Sequence, residues 1–141
     1  MAEKVSFIKH KVRFQLTDAK KLSGWIDSVA KKEKYKVASL TFVFCSDSYL
    51  LNMNKDFLNH DYLTDILTFD LSEKKNVISG EIYISVDRVK ENALAFKVPF
   101  KTELHRVIIH GVLHLMGYSD KGKANTLKMR EKEDRCLSLL K

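Results

Sequence analysis

"ILTFDLSEKKNVISGEIYISV", residues Ile66 to Val86, reads as two β-forming runs separated by a polar turn. "ILTFDL" and "VISGEIYISV" are rich in β-branched and aromatic residues, and "SEKKN" between them predicts an antiparallel hairpin. Toward the C-terminus the period changes from strand to helix. Asp87 is placed to cap a short helix that stops before "KVPF". Pro99 suits the start of a long helix through "KTELHRVIIHGVLHLM", Gly117 its end, and a last helix runs from about Lys123 to Leu140. Toward the N-terminus, "HDYLTD" is a polar break. Before it, Ser46 or Asp47 caps a helix whose buried side carries Leu50, Met53, Phe57 and Leu58. "ASLTFVFCS" alternates Leu40, Phe42 and Phe44 as a strand. Leu22, Trp25, Ile26, Val29 and Ala30 share one face of a helix that Thr17 can cap. Val12, Phe14 and Leu16 alternate with Lys11, Arg13 and Gln15 as a further strand.

These elements predict one α+β domain over residues 1–141: a mixed sheet of about four strands, packed by about five helices, one of them a zincin-like metal-binding helix. A chain of 141 residues, 45% apolar and 30% charged, fits a globular domain with its own core. No apolar run is long enough to span a membrane, and "MAEKVSFIKHKVRF" has no signal-peptide core, so a cytoplasmic protein is expected. Cys45 and Cys136 sit among apolar neighbours, with no Cys or His at zinc-ligand spacing, and are expected to be reduced, half-buried thiols. The net charge of +7 suits a polyanion such as RNA, or equally a solvated surface. Its lysines cluster at Lys20 and Lys21, from Lys31, and from Lys121 to Lys132, without aromatic residues interleaved.

"HGVLHLMGYSD", residues His110 to Asp120, carries the chemistry. His110 and His114 are four apart and leave one helix face together. Gly117 permits a turn, and Asp120 follows where the chain can fold back as a third ligand. H-x3-H-x2-G-x2-D is the metzincin spacing with aspartate in place of the third histidine. Two imidazoles and one carboxylate leave a coordination place free, as in catalytic zinc sites. His105 points elsewhere, a surface residue or a support for a ligand, and His10 and His60 lie in other segments. A zinc peptidase has its general base directly after the first histidine, and here that place is Gly111. Either Gly111 leaves room for a substrate beside the metal, or it lets the helix pack closely on a neighbour. Glu103, on a similar face two turns earlier, could orient a ligand histidine or simply be a first-turn acid favoured by the helix dipole.

The same stretch resembles the signature of the YbeY family of ribosomal-RNA maturation endonucleases through His110, Gly111, Leu113, His114, Leu115, Gly117 and Tyr118. Asp61, Thr64, Asp65, Leu67 and Phe69 resemble a second family segment, and Gly80, Ile82, Ile84 and Ser85 a third; "TELHRVIIHG" and "KMREKE" fit the flanks. The resemblance implies an α+β metalloprotein with one zinc ion per chain. It implies a single-strand endoribonuclease that matures the 3′ end of 16S ribosomal RNA and acts in ribosome quality control, with ribosomal RNA and the small subunit as partners. The chain departs from the pattern in three places. The family's aspartate–histidine pair is Ser119 and Asp120, a proline is Leu63, and an arginine is Leu58, so that a phosphate contact would come from Lys55, Lys97 or Arg106. Two other readings stand beside the nuclease: a non-catalytic metal-binding ribosome assembly factor, and a zinc peptidase.

Overall fold

In the computed structural model the hairpin lies at one edge of a four-stranded mixed sheet. The structure describes residues 4–58 and 64–140, without the side chains of 57 and 58; the expected buried positions Phe57 and Leu58, together with His60, Asp61 and Leu63, lie outside that description. The elements in chain order are β1 (Val5–Lys9), α1 (Ala19–Lys32), β2 (Lys36–Cys45), α2 (Asp47–Leu58), β3 (Ile66–Asp70), β4 (Val77–Ser85), α3 (Val86–Phe96), α4 (Phe100–Leu115) and α5 (Lys123–Ser138). The strand order is β1-β2-β4-β3. β1 and β4 both run parallel to β2, and β3 returns antiparallel to β4 with Ile66 opposite Ile84 and Asp70 opposite Gly80.

The alternation of side chains divides the core between the two sheet faces. Leu40, Phe42, Ile82 and Ile84 join Leu22, Ile26, Ile108, Val112 and Leu113 in the larger cluster, which α1 and α4 cover. Cys45, Leu50 and Leu67, with Tyr49, Met53 and Tyr83 against them, form a smaller cluster with α2. The two cysteines are free and fully buried rather than half-buried. Burial, with Asp47 and Asp87 nearby, pushes the Cys45 thiol up to about 12, so it stays a thiol at neutral pH.

The expected strand from Val12 to Leu16 is corrected by the structure. These residues are outside every ladder, and the strand that pairs with β2 is Val5–Lys9. The His10 amide still donates to the Phe44 carbonyl (2.8 Å), after which Lys11 takes φ 53 and the chain leaves the sheet. The alternation is nevertheless real. Val12, Phe14 and Leu16 are half-buried between exposed neighbours, and Phe14 meets Phe44 and Phe100 edge-on. One-sided burial produced the pattern without a hydrogen-bonded partner.

Side chains cap α2 and α3 but not α1, and two helix starts are shifted from expectation. Asp18 rather than Thr17 starts α1. Ser85, not Asp87, caps α3 by accepting from the Arg88 amide (3.0 Å). Asp87 instead accepts from the Asp47 amide (3.0 Å), while Ser46 Oγ accepts from the Tyr49 amide (3.2 Å), so two side chains cap α2. At the end of α4, Gly117 takes φ +96. Its amide reaches the His114 carbonyl, and that of Tyr118 reaches the Leu113 carbonyl, at 3.0 and 3.1 Å. This is a Schellman turn, and it reverses the chain just past the histidine pair.

Candidate metal centre

α4 is amphipathic by burial. Leu104, Val107, Ile108, Gly111, Val112 and Leu115 face inward, while His110 and His114 sit one turn apart at the edge of the covered face. Their rings are 5.1 Å apart between centroids. The turn at Gly117 brings Asp120 back over them. His110 Nε2 is 3.4 Å from Asp120 Oδ2, and His114 Nε2 is 3.5 Å from Asp120 Oδ1. One donor atom from each of the three lies within 4.8 Å of the others. Ligands about 2.0–2.2 Å from a tetrahedral ion stand roughly 3.3–3.6 Å from one another, so these separations fit a small cation with nitrogen and oxygen donors.

Two further contacts hold the pieces in place. The His110 Nδ1 hydrogen bonds to Glu133 Oε2 at 2.6 Å, and the other Glu133 oxygen accepts from Arg106 Nη1 at 2.9 Å. A carboxylate that accepts the Nδ1 proton leaves the Nε2 lone pair free to face Asp120 and an ion. Burial works against a charge on the ring, but the Glu133 hydrogen bond and charge, then Asp120 and Asp65, outweigh it and raise the His110 pKa. The loop that carries Asp120 is tied down by the Tyr118 hydroxyl to Glu33 (2.5 Å), the Lys132 ammonium to the same carboxylate (2.6 Å), and Thr126 Oγ1 to the Asp120 carbonyl (2.8 Å).

Glu133 was not singled out in the sequence, although a signal existed. Met129, Glu133 and Cys136 form the buried stripe of α5, and a carboxylate on an apolar stripe needs a buried partner. Glu103, the carboxylate considered for that role, is buried in the same cleft, but it is Glu133 that binds His110. His105 points to Asp18 (3.5 Å) and Trp25, and His10 stacks against Tyr49; neither joins the centre.

Gly111 settles the choice its sequence position posed. A Cβ there would lie 2.9 Å from both Ile66 Cδ1 and Ile82 Cδ1, and 3.1 Å from Ile82 Cγ2. The residue faces the sheet rather than the cleft, so the idea that it leaves space for substrate is corrected to close packing of α4 on β3 and β4.

The centre opens into a cleft of about 440 Å³. Asp65, Glu103, Arg106 and Arg130 line it with the histidines. Burial raises the pKa values of Asp65 and Glu103; the His110 charge pulls against it at Asp65, and the Asp65 charge adds to it at Glu103. Of the three basic residues expected to contact phosphate, Lys55 and Lys97 do not line the cleft, and Arg106 is committed to Glu133 and to Asp134 (2.7 Å).

Comparison with known proteins places these features in company. The family described as "Endoribonuclease YbeY" matches residues 5–141. A Cytophaga hutchinsonii protein named Endoribonuclease YbeY is 52% identical over 139 residues, 99% of this chain and 97% of its own. One of the same name from Flavobacterium psychrophilum is 47% identical over 135 residues, 96% and 95% of the two chains. The solution structure of a Thermotoga maritima protein matches with a TM-score of 0.63 at 29% identity, covering 94% of this chain and 86% of the other.

Proposed function

The chain belongs to the YbeY endoribonuclease family, and from that premise we propose that it is a zinc-dependent endoribonuclease that cuts single-stranded RNA. On this reading its work is maturation of the 3′ end of 16S ribosomal RNA and ribosome quality control, in the cytoplasm, with ribosomal RNA and the small subunit as partners. The observation that carries the catalytic part is the convergence of His110, His114 and Asp120 in the lining of one cleft. Three protein donors suit a catalytic zinc site, whereas structural sites are closed by four. A bound ion supplies Lewis acidity toward a phosphodiester oxygen.

The chain's own residues do the rest. Glu133 fixes the orientation of His110, and Arg106 shields Glu133 and Asp134 from an incoming polyanion. The peptidase alternative is disfavoured because Gly111, at the place of a peptidase base, is packed against Ile66 and Ile82.

The test offers zinc-loaded protein a single-stranded RNA, a duplex RNA and a peptide mixture. Cleavage of the single strand alone is expected, with about one zinc per chain by elemental analysis. It should vanish on chelation, return with zinc, and be absent from His114→Ala. Cleavage that survives chelation, or zinc-loaded protein that binds ribosomes tightly and cuts no RNA, rejects the reading, the latter in favour of the assembly factor. Glu133→Gln gives a separate measure of ligand support. It keeps the shape and a hydrogen-bond acceptor but removes the charge. Its zinc affinity, read by chelator competition, should fall about 10- to 100-fold while the circular dichroism spectrum is kept. An unchanged affinity would remove Glu133 from the centre.

A further inference from the structure

The cleft has a second feature that metal chemistry does not use. Phe96, the last residue of α3, is 55% exposed and lines the cleft that holds His110, His114 and Asp120. The other large apolar side chains exposed among the described residues, such as Leu94 and Leu127, are aliphatic and do not line it. Its ring packs on no other aromatic ring among the described residues, and more than half of the residue is exposed. Arg130 reaches the same cleft from α5. Unlike Arg106 it makes no ion pair among the described residues, although its charge acts on Glu103. An exposed aromatic side chain and a guanidinium with no ion pair among the described residues, lining the same cleft, are the two elements from which single-strand binding sites are built: a platform for an unstacked base and a cation for the backbone.

We propose that Phe96 and Arg130 read the substrate, Phe96 by stacking an unpaired base and Arg130 by holding a backbone phosphate, and that this pair selects single-stranded over duplex RNA. The inference rests on the endoribonuclease reading above and deepens it. The selection has a simple cause. A base in a duplex is already stacked on both faces and cannot lie on Phe96 without first leaving the helix, whereas a base in a single strand offers its face at little cost. Arg130 contributes without regard to sequence, because a guanidinium meets a phosphate wherever it falls along the strand. Among the described residues neither makes a hydrogen bond, ion pair or ring contact with the three candidate ligands, so both act on binding rather than on the bond that breaks.

Binding is measured by fluorescence anisotropy on the zinc-loaded full chain, with one RNA oligonucleotide presented single-stranded and as a duplex. Phe96→Ala and Phe96→Leu should each weaken single-strand binding about tenfold, and Phe96→Tyr, which keeps the ring, should restore it to within about threefold. Duplex binding should not change. In cleavage assays the Phe96→Ala loss should appear in KM with kcat retained. Arg130→Ala should reduce the slope of log affinity against log salt by about 0.7, and Phe96→Ala should leave that slope unchanged. Equal binding by Phe96→Leu and Phe96→Tyr, a parallel loss on duplex, or an unaltered salt slope in Arg130→Ala overturns the proposal. If wild type cuts the single strand and Phe96→Ala binds it as well as wild type, this inference alone fails. If zinc-loaded wild type neither binds nor cuts, the nuclease reading fails and takes this one with it.

Discussion

Gly111→Glu, which completes the peptidase sequence on α4, should yield an unfolded chain and no peptidase. The position points into the sheet, where even a methyl group would meet Ile66 and Ile82 at 2.9 Å. A glutamate adds four more heavy atoms and a charge to a site that is buried and has no cationic partner in those contacts. Overpacking alone costs about 1–3 kcal/mol, and an unpaired buried carboxylate costs several more or takes up a proton. Typical domains hold only about 5–15 kcal/mol in total. The loss should therefore remove most of the folded population, seen as a collapsed thermal transition and low soluble yield. Gly111→Ala is the graded control. The crowding is against the ends of two isoleucine side chains, and alanine returns about 1 kcal/mol of helix propensity, so a net loss of about 0–2 kcal/mol is expected with zinc content per folded molecule unchanged. A Gly111→Glu protein as stable as wild type would show that α4 does not lie on the sheet as described.

The second large effect concerns Asp120. Structural zinc sites with four protein ligands bind with about 10–16 kcal/mol, or about 3 kcal/mol per ligand, so Asp120→Ala should weaken zinc binding by roughly 100-fold or more. Asp120→His places an imidazole within reach of the same two Nε2 atoms and restores the family's histidine. It should hold zinc comparably to wild type while discriminating more strongly against hard cations such as manganese and magnesium, which favour oxygen ligands. Chelator competition with each metal reads both effects. Equal zinc affinity in Asp120→Ala and wild type excludes the carboxylate from the centre, whatever its distance from the histidines.

What could be read from the sequence was what periodicity and spacing encode locally. Ile66 to Ser85 gave the hairpin because both runs alternate and a polar turn separates them. The face of α1 was legible because Leu22, Trp25, Ile26, Val29 and Ala30 repeat at helical spacing, and all are buried. His110 and His114 could be paired because an α-helix alone fixes their relation. Asp120 could be added because the Gly117 turn is also local. The failures have a common physical cause. Val12 to Leu16 show that one-sided burial imitates a strand when no ladder partner is present. Gly111 is indifferent to direction in sequence, since a glycine beside a substrate and one beside a sheet look alike. Glu133 meets His110, and Phe96 and Arg130 reach the cleft, only through tertiary packing, from positions 14 or more away from the histidines in the chain.

The position of Glu133 on α5 would make that helix a thermodynamic partner of an ion held by His110, His114 and Asp120. Glu133 carries the link from α5 to His110, and the α5 backbone is fastened to α1 by the Trp25 indole, which donates to the Cys136 carbonyl at 2.8 Å. Any state in which α5 lifts away also releases His110 from its oriented form, so the ion binds the docked state more tightly than the lifted one. By linkage, the free energy that docking adds to ion binding is the same free energy that ion binding returns to docking. Ion binding at that site and the attachment of the C-terminal helix would then be coupled through one equilibrium.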